Sequence, residues 1–366
     1  MCIRDSENDN AVETKNWVDK QNETTFSYLE NIPFRKQIKN RLEQLWDYDK
    51  VSAPFKEGYY TYFYKNSGLQ NQYVVYRKKK GYEEEVFLDP NTFAKDGTTS
   101  LAGLNFSKSG KLLAYSISEG GSDWRKIIVM DAIDKKIIED TLVDIKFSGI
   151  QWKLDEGFFY SSYDKPEGSE LSQMTDQHKL YYHKLGTHQS EDVLIFGGLP
   201  EQKHRYVGGS VTRDGKYLFI TASKTTSGNI SLIKDLSILK SPLLKVDEDY
   251  NTDSYLLDAI KDNLYIVTNS NAPNKRVVKV SAKSPEEKNW KDFISETEHV
   301  LLPSSGGGYF FARYIINVMT KVIQYDFKGN NMGEIKLPGI GTAGGWNGKM
   351  EDETLYYSFT NYHTPG

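Results

Sequence analysis

The chain has 366 residues, a formal net charge of −4 and an isoelectric point near 6.0, with 38% hydrophobic and 13% aromatic residues. The absence of a basic excess argues against a nucleic-acid partner, and the aromatic content argues against a disordered polymer. No run of about 18 apolar residues marks a membrane-crossing helix. Cys2, the single cysteine, leaves no internal disulfide and no cysteine-based zinc site.

Length favours a large core or a repeat array over one small domain. With 25 Tyr, 29 Gly and 11 Pro, the composition suits many short strands joined by turns. In chain order, residues 1–6 have neither hydrophobic period nor targeting logic, and read as a stray leader before a chain that starts near Glu7. Residues 11–46 are the one helical stretch. Trp17, Val18, Gln21, Thr25, Tyr28 and Leu29 share a face, Pro33 breaks the first helix, and Ile38, Leu42, Leu45 and Trp46 mark a second.

From residue 47 onward a unit recurs: an alternating strand, a polar turn, a second apolar strand. The turns fall at Lys56-Glu57-Gly58, Ser107–Gly110, Asp155-Glu156-Gly157, Arg213-Asp214-Gly215, Lys261-Asp262-Asn263, Ser305-Gly306-Gly307 and Glu351-Asp352-Glu353. Their last residues are separated by 52, 47, 58, 48, 44 and 46 positions, close to the roughly 40–50 residues of a propeller blade. Second strands such as Lys111–Ser118 and Tyr217–Thr221 carry aromatic and β-branched residues. Two stacked β-sandwiches would not give such even spacing. The expectation is an all-β, seven-bladed β-propeller with about six blades complete and the seventh truncated, because the strand pattern at Tyr356–Tyr362 lies four residues from the last residue, Gly366. The run Arg77–Lys80, answered by Glu83–Glu85, reads as a charged hairpin tip.

Several strings in these blades closely resemble the N-terminal region of prolyl oligopeptidases, a family of serine peptidases. They are Gly68-Leu69-Gln70-Asn71-Gln72, Val86-Phe87-Leu88-Asp89-Pro90-Asn91, Gly121-Ser122-Asp123-Trp124, Lys179–His183, Leu185-Gly186-Thr187 and Gln189-Ser190-Glu191-Asp192, in that order. The resemblance runs from about Glu7 to Gly366. It implies a propeller capping an α/β-hydrolase domain, with residues 7–46 packing on the hydrolase side and residues 47–366 forming the propeller. It implies a parent endopeptidase that cleaves short peptides after proline, needs no cofactor or metal, and uses the propeller as a size filter. The resemblance also implies three substrate-facing residues: Phe147, an aromatic lining the pocket, whose other reading is a core Phe; Asp123, whose other reading is a turn residue; and Thr226, near a position often held by Cys, where the local strings diverge.

The sequence itself carries no hydrolytic machinery. A hydrolase nucleophile sits in Gly-x-Ser-x-Gly because the strained elbow tolerates only small neighbours. The nearest approach is Gly120-Gly121-Ser122-Asp123-Trp124, where Trp124 takes the second glycine position, so Ser122 reads as a turn residue. His178, His183, His188, His204, His299 and His363 form no His-Glu-x-x-His string and read as surface or turn histidines. Gly306–Gly308 lacks the Lys-Ser/Thr and helix of a phosphate cradle and reads as a blade turn. Asp247-Glu248-Asp249 lacks the rest of a calcium loop and reads as an acidic surface turn. The favoured reading is therefore a propeller portion that is inactive alone and completed by a C-terminal hydrolase domain, without nucleic-acid or membrane partners. Exposed sheet faces would make the isolated chain poorly soluble or oligomeric. The alternatives are a free-standing binding or scaffold propeller and a sister peptidase cleaving after basic residues. A cytoplasmic and a periplasmic location both remain open.

Overall fold

The computed structural model describes residues 10–166 and 175–364; the leader expected at residues 1–6 lies outside them. Helix α1 (Val12–Glu30) ends ahead of Pro33, and α2 (Arg35–Trp46) follows it. Neither helix buries a residue. Trp17 and Tyr28 on one face of α1, and Ile38, Leu42 and Trp46 on one face of α2, stand exposed.

Downstream, the described residues are strands and turns apart from short 3-10 helices such as Pro90–Thr92 and Gln189–Glu191. Six antiparallel sheets of four or five strands follow one another, built from residues 49–88, 99–146, 151–196, 206–247, 254–294 and 302–334. The architecture is an all-β propeller of six blades with few helices. The seventh repeat unit is a two-stranded ribbon, Thr342–Gly345 with Tyr357–Thr360, and the expected turn at Glu351–Glu353 lies between those strands. The wide spacing between the third and fourth units comes from the long connection between strands Gly157–Ser162 and Lys179–Lys184 of the third blade.

The core is a succession of layers between blades rather than one central core. Tyr62 and Leu113 meet between the first and second blades, and Ile127 and Phe158 between the second and third. Leu180 and Leu218 fill the next layer, then Phe219 and Ile266, then Tyr265 and Phe310. Phe311, Val322 and Trp346 join the sixth blade to the ribbon. A central strand thus buries both faces: every residue of Gly157–Ser162 is buried. Each fully buried large apolar side chain contributes about 1.5–3 kcal/mol.

Because each sheet is an antiparallel meander, its first-to-second turn lies at one end of the ring, the turn end. Its second-to-third loop and the connection to the next blade lie at the other, the loop end. At the turn end, neighbouring blades are tied by polar contacts. Lys108 N–H donates to the Leu154 carbonyl at 3.2 Å, and Ser109 N–H to Asp155 Oδ1 at 3.0 Å. Asp258 Oδ2 accepts from Ser305 Oγ at 2.7 Å and lies 3.5 Å from Arg213 Nη2, linking the fourth, fifth and sixth blades. Gly110, at φ +71°, packs so closely on the first blade that a Cβ there would stand 2.3 Å from Gly58 N, so only glycine fits. The ring closes where Lys349 Nζ, beyond the first ribbon strand, meets Glu57 Oε2 at 2.6 Å. Burial raises the Glu57 carboxyl above its ordinary range despite that lysine. A cavity of about 920 Å³ opens here, bordered by Phe55, Glu57, Lys108, Arg213 and Asp352.

Several local expectations meet the structure differently. The charged tip between strands Val74–Lys79 and Glu85–Leu88 is present, yet Arg77 is buried. Its guanidinium donates to the Ala132 and Ile133 carbonyls of the second blade and pairs with Glu85 at 2.7 Å. Asp247 is buried too, accepting from Ser254 Oγ at 2.7 Å and Thr252 Oγ1 at 3.0 Å, so it staples a blade edge instead of facing solvent. Gly306–Gly308 is the blade turn expected of it, with Gly307 and Gly308 at positive φ.

Candidate substrate-facing site at the loop end

The second blade's last strand, Leu142–Lys146, pairs antiparallel with Trp124–Asp131, and Lys146 lies opposite Trp124. Phe147 follows the one and Asp123 precedes the other, so this register brings the two candidates to the same corner of one blade, at the loop end. Phe147 is not a core residue. It is 45% exposed and takes φ +52°, the left-handed region. A non-glycine residue there costs about 1–3 kcal/mol and persists where its surroundings over-determine it.

Those surroundings are aromatic and span three blades. The Phe147 ring stands edge-on to Tyr163 at 6.3 Å and to Tyr206 at 5.7 Å. Tyr163 follows the third blade's second strand, and Tyr206 opens the fourth blade. Lys146 is buried, its ammonium 4.9 Å from the Trp124 ring and 5.4 Å from the Phe147 ring. Burial pushes the Tyr163 hydroxyl up to about 12, and it donates to the Arg205 carbonyl. The arrangement offers one exposed aromatic ring with buried groups fixed behind it, suited to an apolar, ring-shaped ligand group.

Asp123 is exposed in the loop after Gly120 and Gly121. Ser122 beside it shapes this turn: its Oγ accepts from Trp124 N–H at 3.1 Å and its carbonyl from Ser118 Oγ at 2.7 Å. Thr226 is also exposed at the loop end, between strands Tyr217–Ser223 and Ile230–Asp235, but on the fourth blade. The structure brings Asp123 and Phe147 together and leaves Thr226 two blades away.

The expectation of surface or turn histidines fails for His178, His183 and His204, each no more than 2% exposed. A propeller buries both faces of its strands, so a polar residue there need not face water. His178, just ahead of strand Lys179–Lys184, is held by two backbone groups. Its Nδ1 accepts from Val207 N–H at 2.8 Å and its Nε2 lies 2.9 Å from the Lys146 carbonyl. Burial lowers it to about 4. His183, within the same strand, is held by two carboxylates: Nδ1 to Asp192 at 2.7 Å and Nε2 to Glu139 at 3.1 Å. Burial opposes its charge, but the hydrogen bonds and charges of Asp192 and Glu139 outweigh that and raise it to about 9. Tyr160 OH and Gly186 N–H complete the two carboxylates. Lys179–His183 was one of the strings that carried the resemblance, but nothing in the sequence marked His178 or the partners of either ring.

The model of the prolyl oligopeptidase N-terminal beta-propeller domain matches residues 4–366. The chain belongs to that family. It is 54% identical over 360 residues to the prolyl endopeptidase of Elizabethkingia miricola, covering 98% of this chain and 51% of that protein. It is 30% identical to prolyl oligopeptidase A of Amanita bisporigera, again over 51% of that protein. The chain thus spans about half the length of the curated relatives it matches, and it is the propeller half of prolyl oligopeptidase homologues. A structure of prolyl oligopeptidase B from Galerina marginata, bound to a 35mer hydrolysis and macrocyclization substrate, superposes with TM-score 0.86 at 26% identity, covering 97% of this chain and 53% of that one. Oligopeptidase B from Leishmania major shares the fold at 17% identity and TM-score 0.78.

Proposed function

We propose that this propeller gates substrate access to a prolyl oligopeptidase active site carried by a C-terminal α/β-hydrolase domain, in an endopeptidase that cleaves short peptides after proline. The observation that carries the reading is the exposed, left-handed Phe147 beside Asp123 at the loop end, in a chain matching the propeller half of such enzymes. Phe147 packs against the apolar ring of the substrate, and Asp123 lies near the substrate-binding cation of the hydrolase half. Thr226 borders the same face further out. The ribbon is the inner half of a seventh blade, and the helical segment, residues 7–46, lays the exposed apolar side chains of its two helices on the hydrolase domain. Selection by size is steric: a peptide must pass the ring or the gap between domains, and a folded protein cannot.

The test is complementation. The chain is co-expressed with the hydrolase half of the Elizabethkingia miricola enzyme, and cleavage of a short proline peptide is compared with that of a folded protein. The expected result is no cleavage by the chain alone, and cleavage of the short peptide only by the pair. A pair that digests the folded protein equally well would overturn the gating role.

A further inference from the structure

We propose that His178 is a positioning residue for Phe147, bridging the second, third and fourth blades so that the aromatic ring is presented in one orientation. The proposal rests on the reading of Phe147 as a substrate contact. Its argument begins with the tautomer. Nδ1 accepts the Val207 N–H, so it carries no proton, and in the neutral ring Nε2–H must donate to the Lys146 carbonyl. One ring therefore satisfies an amide of the fourth blade and a carbonyl of the second while belonging to the third. The backbone of His178 adds a further tie, its N–H donating to the His204 carbonyl at 2.9 Å.

The Lys146 carbonyl belongs to the peptide plane that leads into Phe147. Fixing the direction of that carbonyl fixes the plane, and the plane is the reference from which φ of Phe147 is measured. Holding it sustains a left-handed φ that an unrestrained phenylalanine would leave. The imidazole also stacks on Tyr163, with centroids 4.3 Å apart and planes 28° apart. Tyr163 is one of the two rings edge-on to Phe147. His178 thus acts on Phe147 twice, through the backbone before it and through the ring beside it. It does this without touching ligand space, since its side chain is 1% exposed.

The experiment uses the full chain with 4-fluorophenylalanine at position 147 and, as a control, at position 311 in the sixth blade. Fluorine spectra are recorded for the chain and for His178→Leu, beside thermal melts. The expected result is one sharp resonance at 147 that shifts and broadens in His178→Leu, with the resonance at 311 unmoved. An unchanged 147 resonance in a folded His178→Leu overturns the proposal. Should that variant fail to fold, nitrogen-15 shifts of the His178 ring in the unsubstituted chain decide. An unprotonated Nδ1 with a protonated Nε2 supports the bridge, and the opposite tautomer or a charged ring overturns it. Titrating acetyl-alanyl-proline amide separates the underlying reading. A peptide-induced shift at 147 that weakens in His178→Leu supports both; no shift at 147, with the His178 result intact, overturns the substrate contact and not the bridge.

Discussion

His178 precedes one strand of the third blade and His183 lies within it, each 1% exposed, yet their surroundings favour different charge states at neutral pH. His178 meets a carbonyl and an amide, which only the neutral ring can satisfy together; His183 meets two carboxylates, which favour the imidazolium. Burial pushes both down, so the partners decide the sign. The lesson is that burial alone does not make a histidine neutral. The same comparison separates a neutral bridge, which sets geometry, from a charged clamp, which ties Glu139 of the second blade to the third.

The largest expected effect breaks the clamp. His183→Leu leaves Asp192 and Glu139 buried and facing each other without the cation, and should cost about 3–5 kcal/mol. Denaturant melts at pH 7 read this directly, and a loss below 1 kcal/mol would show that the clamp is not charged. Next comes its pH dependence. The folded value near 9 lies above the unfolded 6.5, so the stabilisation is fully present below pH 6.5 and is lost as pH rises through 9. That loss should approach about 3 kcal/mol, and His183→Leu should flatten the alkaline limb of the stability curve.

His178 gives the mirror image. Its folded value near 4 lies below 6.5, so its contribution is present above pH 6.5 and is lost as pH falls through 4. His178→Leu should flatten this acid limb by a smaller margin, because carboxylates titrate in the same window; melts from pH 7 to pH 4 check it. The smallest effect belongs to the ring seam. Lys349 and Glu57 are as close as the His183 pairs, but their side chains are 33% and 21% exposed. Lys349→Met should cost no more than about 1 kcal/mol, less still in high salt. A cost equal to that of His183→Leu would mean that distance, and not burial, sets the strength of these pairs.

Much of the scaffold was legible in the sequence. Pro33 divided the two helices, and polar turns such as Arg213-Asp214-Gly215 fell where strands Tyr206–Val211 and Tyr217–Ser223 reverse. Those features are local, carried by residues a few positions apart. The buried polar contacts were not legible because their partners are remote. Glu139 lies 44 positions from His183, Val207 lies 29 from His178, and the Ala132 carbonyl lies 55 from Arg77. Read along one strand, each such residue resembles a solvent-facing polar position. Only the adjacent blade removes the solvent. Phe147 was marked by resemblance, but its exposure and left-handed backbone depend on three blades meeting, which no spacing encodes.

The Lys349–Glu57 contact joins residues 292 positions apart, while every blade is built from one contiguous stretch of chain. A nascent polypeptide can therefore stack its sheets one by one as they emerge, since each needs only the sheet made before it. The circle is the exception: it waits for the far end of the domain. Loop-closure entropy grows only with the logarithm of the span, so this delay is costly in time more than in stability. Until the seam forms, the assembly is an open spiral whose first sheet has no neighbour on one side, and that unfinished spiral is the species a chaperone would meet.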